Sequence, residues 1–428
     1  MREMKDSGIE WIGEIPAEWE LTPFRNMLQE RSEKNTPIKT NERLSLSIDV
    51  GITLYAEKTT NLDRYKDDVS QYKIAHIGDL VLNSMNVIVG AVGVSPYYGC
   101  VSPAYYTYYD LDDEHYLARY CDYIFRCKPL RQLLFVLGKG IMAIDRGDGR
   151  VNTCRLKVSR EDLGHIKFPY PQNEEITKIV DYLDCKCSEI DTLTTDIQSE
   201  IETLEEYKRS VITEAVTKGL EPDAEMKDSG VAWIGEIPKH WTCQRGKYIL
   251  HYLQKPITDN DDVITCFRDG EVTLRSNRRE DGFTIADKEI GYQGIDEGDL
   301  VVHGMDGFAG AIGISDSRGK ASPVLNVLDT KQNKRYIMYY LRSMAYNDVF
   351  VAMATGIRVR SCDLRWNKLA ELFYPIPPVE EQQHIVAHID SIIEQTNAII
   401  SEKKQQIATI EEYKKSLIFE CVTGKKEV

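Results

Sequence analysis

A chain of 428 residues, 42% hydrophobic and 28% charged, is long enough for two to four domains with substantial cores. Its formal charge of −15 argues against a protein that binds nucleic acid over its whole surface. Ten cysteines without a C-x-x-C pair, no apolar leader and no uninterrupted apolar span point to a reducing, cytoplasmic setting without a membrane partner.

In chain order, residues 4–16 read MKDSGIEWIGEIP, and the same block returns as MKDSGVAWIGEIP at 226–238. The stretch 21–168 mixes short β-rich runs (44–50, 80–82, 87–94) with glycine turns and a helical stretch over 114–137. A proline-rich entry at 168–171 leads into residues 173–218, where apolar residues recur at steps of three and four from Ile176 to Ala215. No proline or glycine interrupts that run, so it predicts a helix of about 65 to 70 Å with a coiled-coil seam. The stretch 243–374 repeats the β-rich pattern (300–302, 311–314) with a helical stretch over 334–353. A second proline-rich entry at 374–378 then leads into a second heptad run, from Val386 to Cys421. GluGluTyrLys recurs near the end of both runs, at 205–208 and 411–414.

Matching blocks are offset by 222, 220, 216 and finally 206 residues, and the offset shrinks only between blocks. Loops absorb length change more readily than packed elements, so the shared blocks are framework and the segments between them adjustable surface. The expected fold is α+β: two globular α+β domains separated by two long helices that form an antiparallel coiled coil, the whole a pseudo-two-fold internal repeat. Its parts are a shared segment 1–20, a variable domain 21–168, a central shared region 169–242 with one long helix, a variable domain 243–374, and a distal shared region 375–428 with the other.

Charge follows the repeat. Residues 21–168 hold 20 Lys+Arg against 18 Asp+Glu and residues 243–374 hold 18 against 18, while the remaining segments hold 15 against 32. Acid is concentrated in the framework. The variable domains are balanced and can present local basic faces to phosphates.

Enzyme signatures are missing: there is no phosphate loop, no nucleophile elbow and no dinucleotide fingerprint. His384 and His388 stand one helical turn apart, but their counterparts are Lys178 and Tyr182 and no third ligand lies nearby in sequence, so exposed helix histidines are the better reading. Asp259, Asp261 and Asp262 lack the glycine and glutamate of a calcium loop and are read as a turn. Two related but divergent domains on long rods suit a bipartite target.

The WIGEIP block ahead of each variable domain, the Pro-x-Pro followed by acidic residues at 375–382, and the EEYK near the end of each rod together resemble the specificity subunit of type I restriction-modification systems. That resemblance covers essentially the whole chain. It implies two target recognition domains, each reading one half of a split double-stranded DNA site, with the rods setting the spacer. It also implies two modification (methyltransferase) subunits that dock on the shared segments and carry S-adenosylmethionine for adenine-N6 methylation. Restriction subunits using ATP and Mg would join for cleavage. This chain would be non-catalytic, with no cofactor of its own. The competing readings are a coiled-coil adaptor that binds proteins and an enzyme with a dispersed site in each domain.

Candidate DNA contacts follow from comparing the copies. Leu80, Met85, Gly90 and Gly93 match Leu300, Met305, Gly310 and Gly313, whereas Asn83 stands opposite His303 and Asn86 opposite Asp306. A fixed frame with changed polar residues is what two readers of different half-sites should carry, since Asn suits adenine and Asp the cytosine amino group. Turns also favour Asn and Asp, which is the plainer alternative. A second set is the basic loop after each helical stretch, Lys139, Arg146, Arg150 and Arg155 in the first copy and Arg358, Arg360 and Arg365 in the second, joined by Arg275, Asn277, Arg278 and Arg279. Arginine clamps phosphate or pairs bidentately with guanine.

Overall fold

The computed structural model describes residues 2–48, 50–58, 68–111, 114–141, 155–278, 290–353 and 364–428. It divides into two compact units: unit 1 is Met1–Asp196 with Gln405–Val428, and unit 2 is Ile197–Lys404.

The two long helices form over Asn173–Lys218 and Val379–Val422. Each opens with a pair of glutamates (Glu174 and Glu175, Glu380 and Glu381) that complement the positive end of the helix dipole. Each is followed by a glycine in the left-handed region, Gly219 at φ +77° and Gly424 at φ +68°, where other residues are strained. Within each unit the helices run antiparallel, as the heptads predict. In unit 1, Ile176, Val180, Leu183 and Cys187 share a core with Leu417, Ile418, Cys421 and Val422. In unit 2, Ile212, Ala215 and Val216 share one with Ile385, Val386 and Ile389. Polar pairs set the register: Asp191 with Lys414 in unit 1, Lys208 with Asn397 and Glu200 with Lys403 in unit 2.

Each unit also holds a four-stranded antiparallel sheet of the same order. In unit 1 it is Gln29–Glu30, Tyr105–Tyr109, Leu80–Asn83 and Val92–Val94; in unit 2 it is Leu250–Leu253, Leu325–Thr330, Leu300–His303 and Ile312–Ile314. One face of each sheet packs in the unit's main core with the helix after it, Tyr116–Arg126 or Lys334–Tyr346, and the other covers a smaller apolar cluster that holds Val81 or Val301.

Four sequence expectations change. The run 87–94 is not one strand: Val87–Val89 is a turn of 3₁₀ helix, because the chain must reverse at Gly90 before strand Val92–Val94. The run 44–50 ends as a strand at Ser47 and returns over Gly51–Leu54 as a hairpin, Leu44 opposite Leu54. The helical stretch 114–137 breaks at the extended Cys127 into Tyr116–Arg126 and Lys128–Leu137, since Pro129 lacks an N–H and would clash with the preceding turn of a continuous helix. The stretch 334–353 breaks likewise, at Asn347 and Asp348, into Lys334–Tyr346 and Val349–Ala352.

The shared blocks lock helices to sheets by equivalent contacts. Each proline-rich entry is a short strand rather than a simple helix lead-in: Lys167–Tyr170 pairs with Glu20–Pro23, and Phe373–Ile376 with Thr242–Arg245. The indole N–H of fully buried Trp19 donates to Glu175, 2.9 Å, and that of Trp241 donates to Glu381, 2.9 Å. Tyr120 lies inside unit 1 with its hydroxyl on the carbonyls of Pro169 and Val422, and Tyr336 inside unit 2 with its hydroxyl on those of Pro375 and Val216. Burial drives both phenols well above their ordinary pKa, so they act as permanent donors.

Candidate nucleic-acid interface

The same turn closes the end of each sheet. In unit 1 the chain leaves strand Leu80–Asn83, reverses through Ser84 to Gly90 and re-enters the sheet; in unit 2 residues 304–310 do the same after Leu300–His303. Gly90 at φ +92° and Gly310 at φ +95° occupy the one position where the reversal demands a left-handed residue. The closing backbone hydrogen bonds correspond: Asn83 N to Ala91 O and Ala91 N to Asn86 O in unit 1, His303 N to Ala311 O and Ala311 N to Asp306 O in unit 2; Asn86 N goes to Asn83 O, whereas Asp306 N goes to the His303 side chain.

The polar residues proposed from the sequence occupy two kinds of place on this turn. Asn83 is buried, and its Oδ1 accepts from the backbone N–H of Met85, 3.1 Å. His303 is half-buried, and its Nδ1 accepts from the N–H groups of Met305, 3.2 Å, and Asp306, 2.9 Å. Its other nitrogen therefore carries the ring proton, and burial lowers the imidazole pKa below its ordinary 6.5. Asn86, by contrast, is exposed and makes no side-chain cap bond to the 3₁₀ turn after it. Asp306 is partly exposed and pairs with Arg268 at 2.8 Å.

The basic loops spring from beside these turns. In unit 1, Lys139–Ile141 pairs with Arg155–Lys157 in a two-stranded ribbon, Lys139 opposite Lys157. Gly138, at its base, packs against Ile88 of the turn and Leu156 with no room for a side chain, and Val158 N donates to Ser84 O, 3.0 Å. Lys139 is 79% exposed, with Asp162 at 3.3 Å. In unit 2, Leu364 N donates to Gly304 O, 2.8 Å, which brings exposed Arg365 alongside the turn. Sequence separations of about 60 residues thus collapse to direct contact. Arg146, Arg150, Arg279, Arg358 and Arg360 lie outside the described residues, as does the side chain of Arg155.

The cluster after residue 274 is bound more tightly to its own hairpin. Asn277 donates to Thr273, 2.8 Å, and Arg275 to Thr265, 3.3 Å. Arg278 lies over the Phe267 ring at 4.2 Å and pairs with Asp269 and Glu271 at 2.8 and 3.1 Å. Those acids must be displaced or shared before Arg278 can hold a phosphate.

Three cations were missed by sequence reasoning. Lys157 is exposed two residues from Arg155 on the same strand, a period-two signal that was available. Arg131 lays its guanidinium over Gly90, and its Nε is buried without a hydrogen-bond partner among the described residues. Arg268 reaches Asp306 from the adjoining hairpin. Nothing in the spacing of Arg131 or Arg268 reveals these contacts.

A family model described as type I restriction modification DNA specificity domain matches residues 293–409, which include the second turn. The chain is similar to the putative type I restriction enzyme MjaX specificity subunit of Methanocaldococcus jannaschii, 23% identical over 448 residues, covering 97% of this chain and 96% of that one. Among solved structures it resembles a chain from work on complex assembly and conformational transition of the type I R-M system, with TM-score 0.67, 14% identity, and 96% and 99% of the two chains covered. The HsdS subunit of Thermoanaerobacter tengcongensis is also similar, at TM-score 0.49 and 13% identity over 96% and 98%.

Proposed function

We propose, for a chain that belongs to the specificity-subunit family of type I restriction-modification systems, that each unit reads one half of a bipartite DNA site through its sheet-end turn and the basic loop beside it. The observation that carries this reading is the repeated turn: one backbone frame in both units, with different side chains on it, next to a basic segment. A frame that is kept while its displayed groups change is suited to reading two different sequences at the same depth in a groove. The basic loops supply phosphate contacts that hold the turns in register.

Residues 21–168 and 243–374 are then the two recognition domains, and the acidic framework with its long helices sets the spacer and docks two modification subunits. The chain itself performs no chemistry. S-adenosylmethionine belongs to the modification subunits, ATP and Mg to restriction subunits, and the assembly works in the cytoplasm. Positive surface that the acidic framework lacks comes from those partners, so DNA binding by the isolated chain is weak and that of the assembly strong.

Sequencing methylated adenines in cells with and without this chain tests the reading directly. A split motif that disappears with the chain is expected; unchanged methylation refutes the reading. Exchange of residues 243–374 for another such domain should alter one half of that motif only, and alteration of both halves would end the modular assignment. For the loop, Arg358→Ala with Arg360→Ala should weaken binding and flatten its salt dependence by roughly 2 units of log–log slope if both touch phosphate. An unchanged slope removes the loop from the interface.

A further inference from the structure

Asn83 and His303 differ in sequence, which by itself suggests two base readers, yet the structure gives them one task. Both stand at the last position of the strand that enters the turn, and both turn an acceptor inward onto the backbone N–H two residues ahead, that of Met85 or of Met305. Each acceptor fixes the backbone of the methionine that follows. The side chains turned outward come next in both copies: Met85 is 39% exposed with Asn86 beside it, and Met305 is 51% exposed with Asp306 beside it.

We propose that Asn83 and His303 are positioning residues, interchangeable internal braces of the two turns, and that base discrimination falls to the displayed pairs Met85 with Asn86 and Met305 with Asp306. This rests on the DNA reading above and divides its candidates into those that shape the turn and those that touch bases. An asparagine carboxamide and an imidazole can make the same bond because both place an acceptor at the same reach from the backbone. The displayed pairs have matching chemistry. An exposed thioether is an apolar contact for a thymine methyl or a base face, and it is common to both units; Asn86 can donate and accept, as adenine requires, and Asp306 can only accept, as the cytosine amino group requires.

The brace in unit 2 titrates, and that in unit 1 does not. Protonation of His303 at Nδ1 removes the acceptor and leaves two backbone donors facing a cation. The groups around the ring among the described residues are Asp306 of the same turn, which favours protonation, Arg268, which opposes it, the Cys266 thiol at the backbone of residue 303, and Arg365 across Gly304. A histidine in the open turn binds its proton near pH 6.5, whereas the braced ring resists to lower pH. The braced state therefore loses ground as pH falls below about 6.5.

The test uses the full chain assembled with its methyltransferase partner, on duplexes carrying the methylated motif and on libraries with the second half randomised. His303→Ala should weaken binding on the order of tenfold, because two backbone donors of the turn lose their shared acceptor, while selecting the same second half. His303→Asn should bind within about threefold of wild type and lose its decline between pH 7 and 5.5. Selection of a different second half by His303→Asn would overturn the proposal, and so would unchanged affinity of His303→Ala. Hydrogen exchange on the free chain decides the brace without DNA: amides 305 and 306 should exchange faster in His303→Ala and stay protected in His303→Asn, and equal protection in all three overturns it. Failure of the wild-type assembly to bind the motif would instead sink the DNA reading, with the exchange experiment still judging the brace.

Discussion

Units 1 and 2 share the buried contacts that anchor their long helices and differ in most of the polar side chains at their sheet-end turns. Trp19 and Trp241, Tyr120 and Tyr336, and Tyr123 with Asp184 against Tyr339 with Asp390 make equivalent bonds in the two halves. At the sheet-end turns the backbone is again equivalent, but the first displays Asn86 beside a lysine-bearing hairpin and the second displays Asp306 tied to Arg268. Interior packing tolerates few solutions once a geometry is set, whereas a solvated turn can carry almost any side chain on one frame. Shared anchors with divergent displayed polar groups are thus the expected outcome when one scaffold serves two specificities.

The largest effect is expected at the tryptophans. Trp19→Ala and Trp241→Ala each empty a fully buried site and take one hydrogen bond from a glutamate that keeps a second partner, Arg2 at Glu175 and His240 at Glu381, so each should cost about 3–5 kcal/mol by denaturant unfolding. The two losses should agree within about 1 kcal/mol; a large inequality would mean that the shared blocks do not bear the same load in both units.

Next come the aspartates of the repeated Gly-Asp-Leu. Asp79 is buried, holds Arg31 through two bonds of 2.6 and 3.0 Å and accepts from His76 N; Asp299 is buried, pairs with Lys255 and accepts from Asp296 N. Their alanine variants should lose about 1–3 kcal/mol, because a turn N–H is left without its acceptor in both, while Arg31 loses two bonds and Lys255 loses one and keeps Asp296. Thermal unfolding with hydrogen exchange read separately over each unit would check that each loss stays in its own half.

Smaller again, Tyr120→Phe and Tyr336→Phe remove only a hydroxyl that serves two buried carbonyls, for about 1–2 kcal/mol each. The smallest effect belongs to the helix register. Asp191→Asn makes the Lys414 contact of unit 1 chemically the same as the Lys208–Asn397 contact of unit 2, and because the aspartate is 65% exposed the change should stay below about 0.5 kcal/mol. A larger loss in low salt would identify Asp191 as a register determinant that unit 2 lacks.

Elements whose cause is local were legible from residue order. Heptad spacing, glutamates at the helix starts and glycines after the ends place Asn173–Lys218 where the pattern predicts it, and the second long helix nearly so. The repeat determined that there are two equivalent halves, and the antiparallel pairing followed from two apolar seams in one chain. The rest depended on contacts between segments distant in the chain. The proline-rich entries became strands because Glu20–Pro23 and Thr242–Arg245, more than 120 residues away, arrive to pair with them. Asn83 and His303 turned inward because the turn's own N–H groups need acceptors once the sheet has formed. Arg131, Arg268 and Arg365 reached the turns through contacts between segments that no spacing relates. Periodicity records what a residue's near neighbours in sequence require of it, and the side-chain partners of a turn are set by folding across the chain.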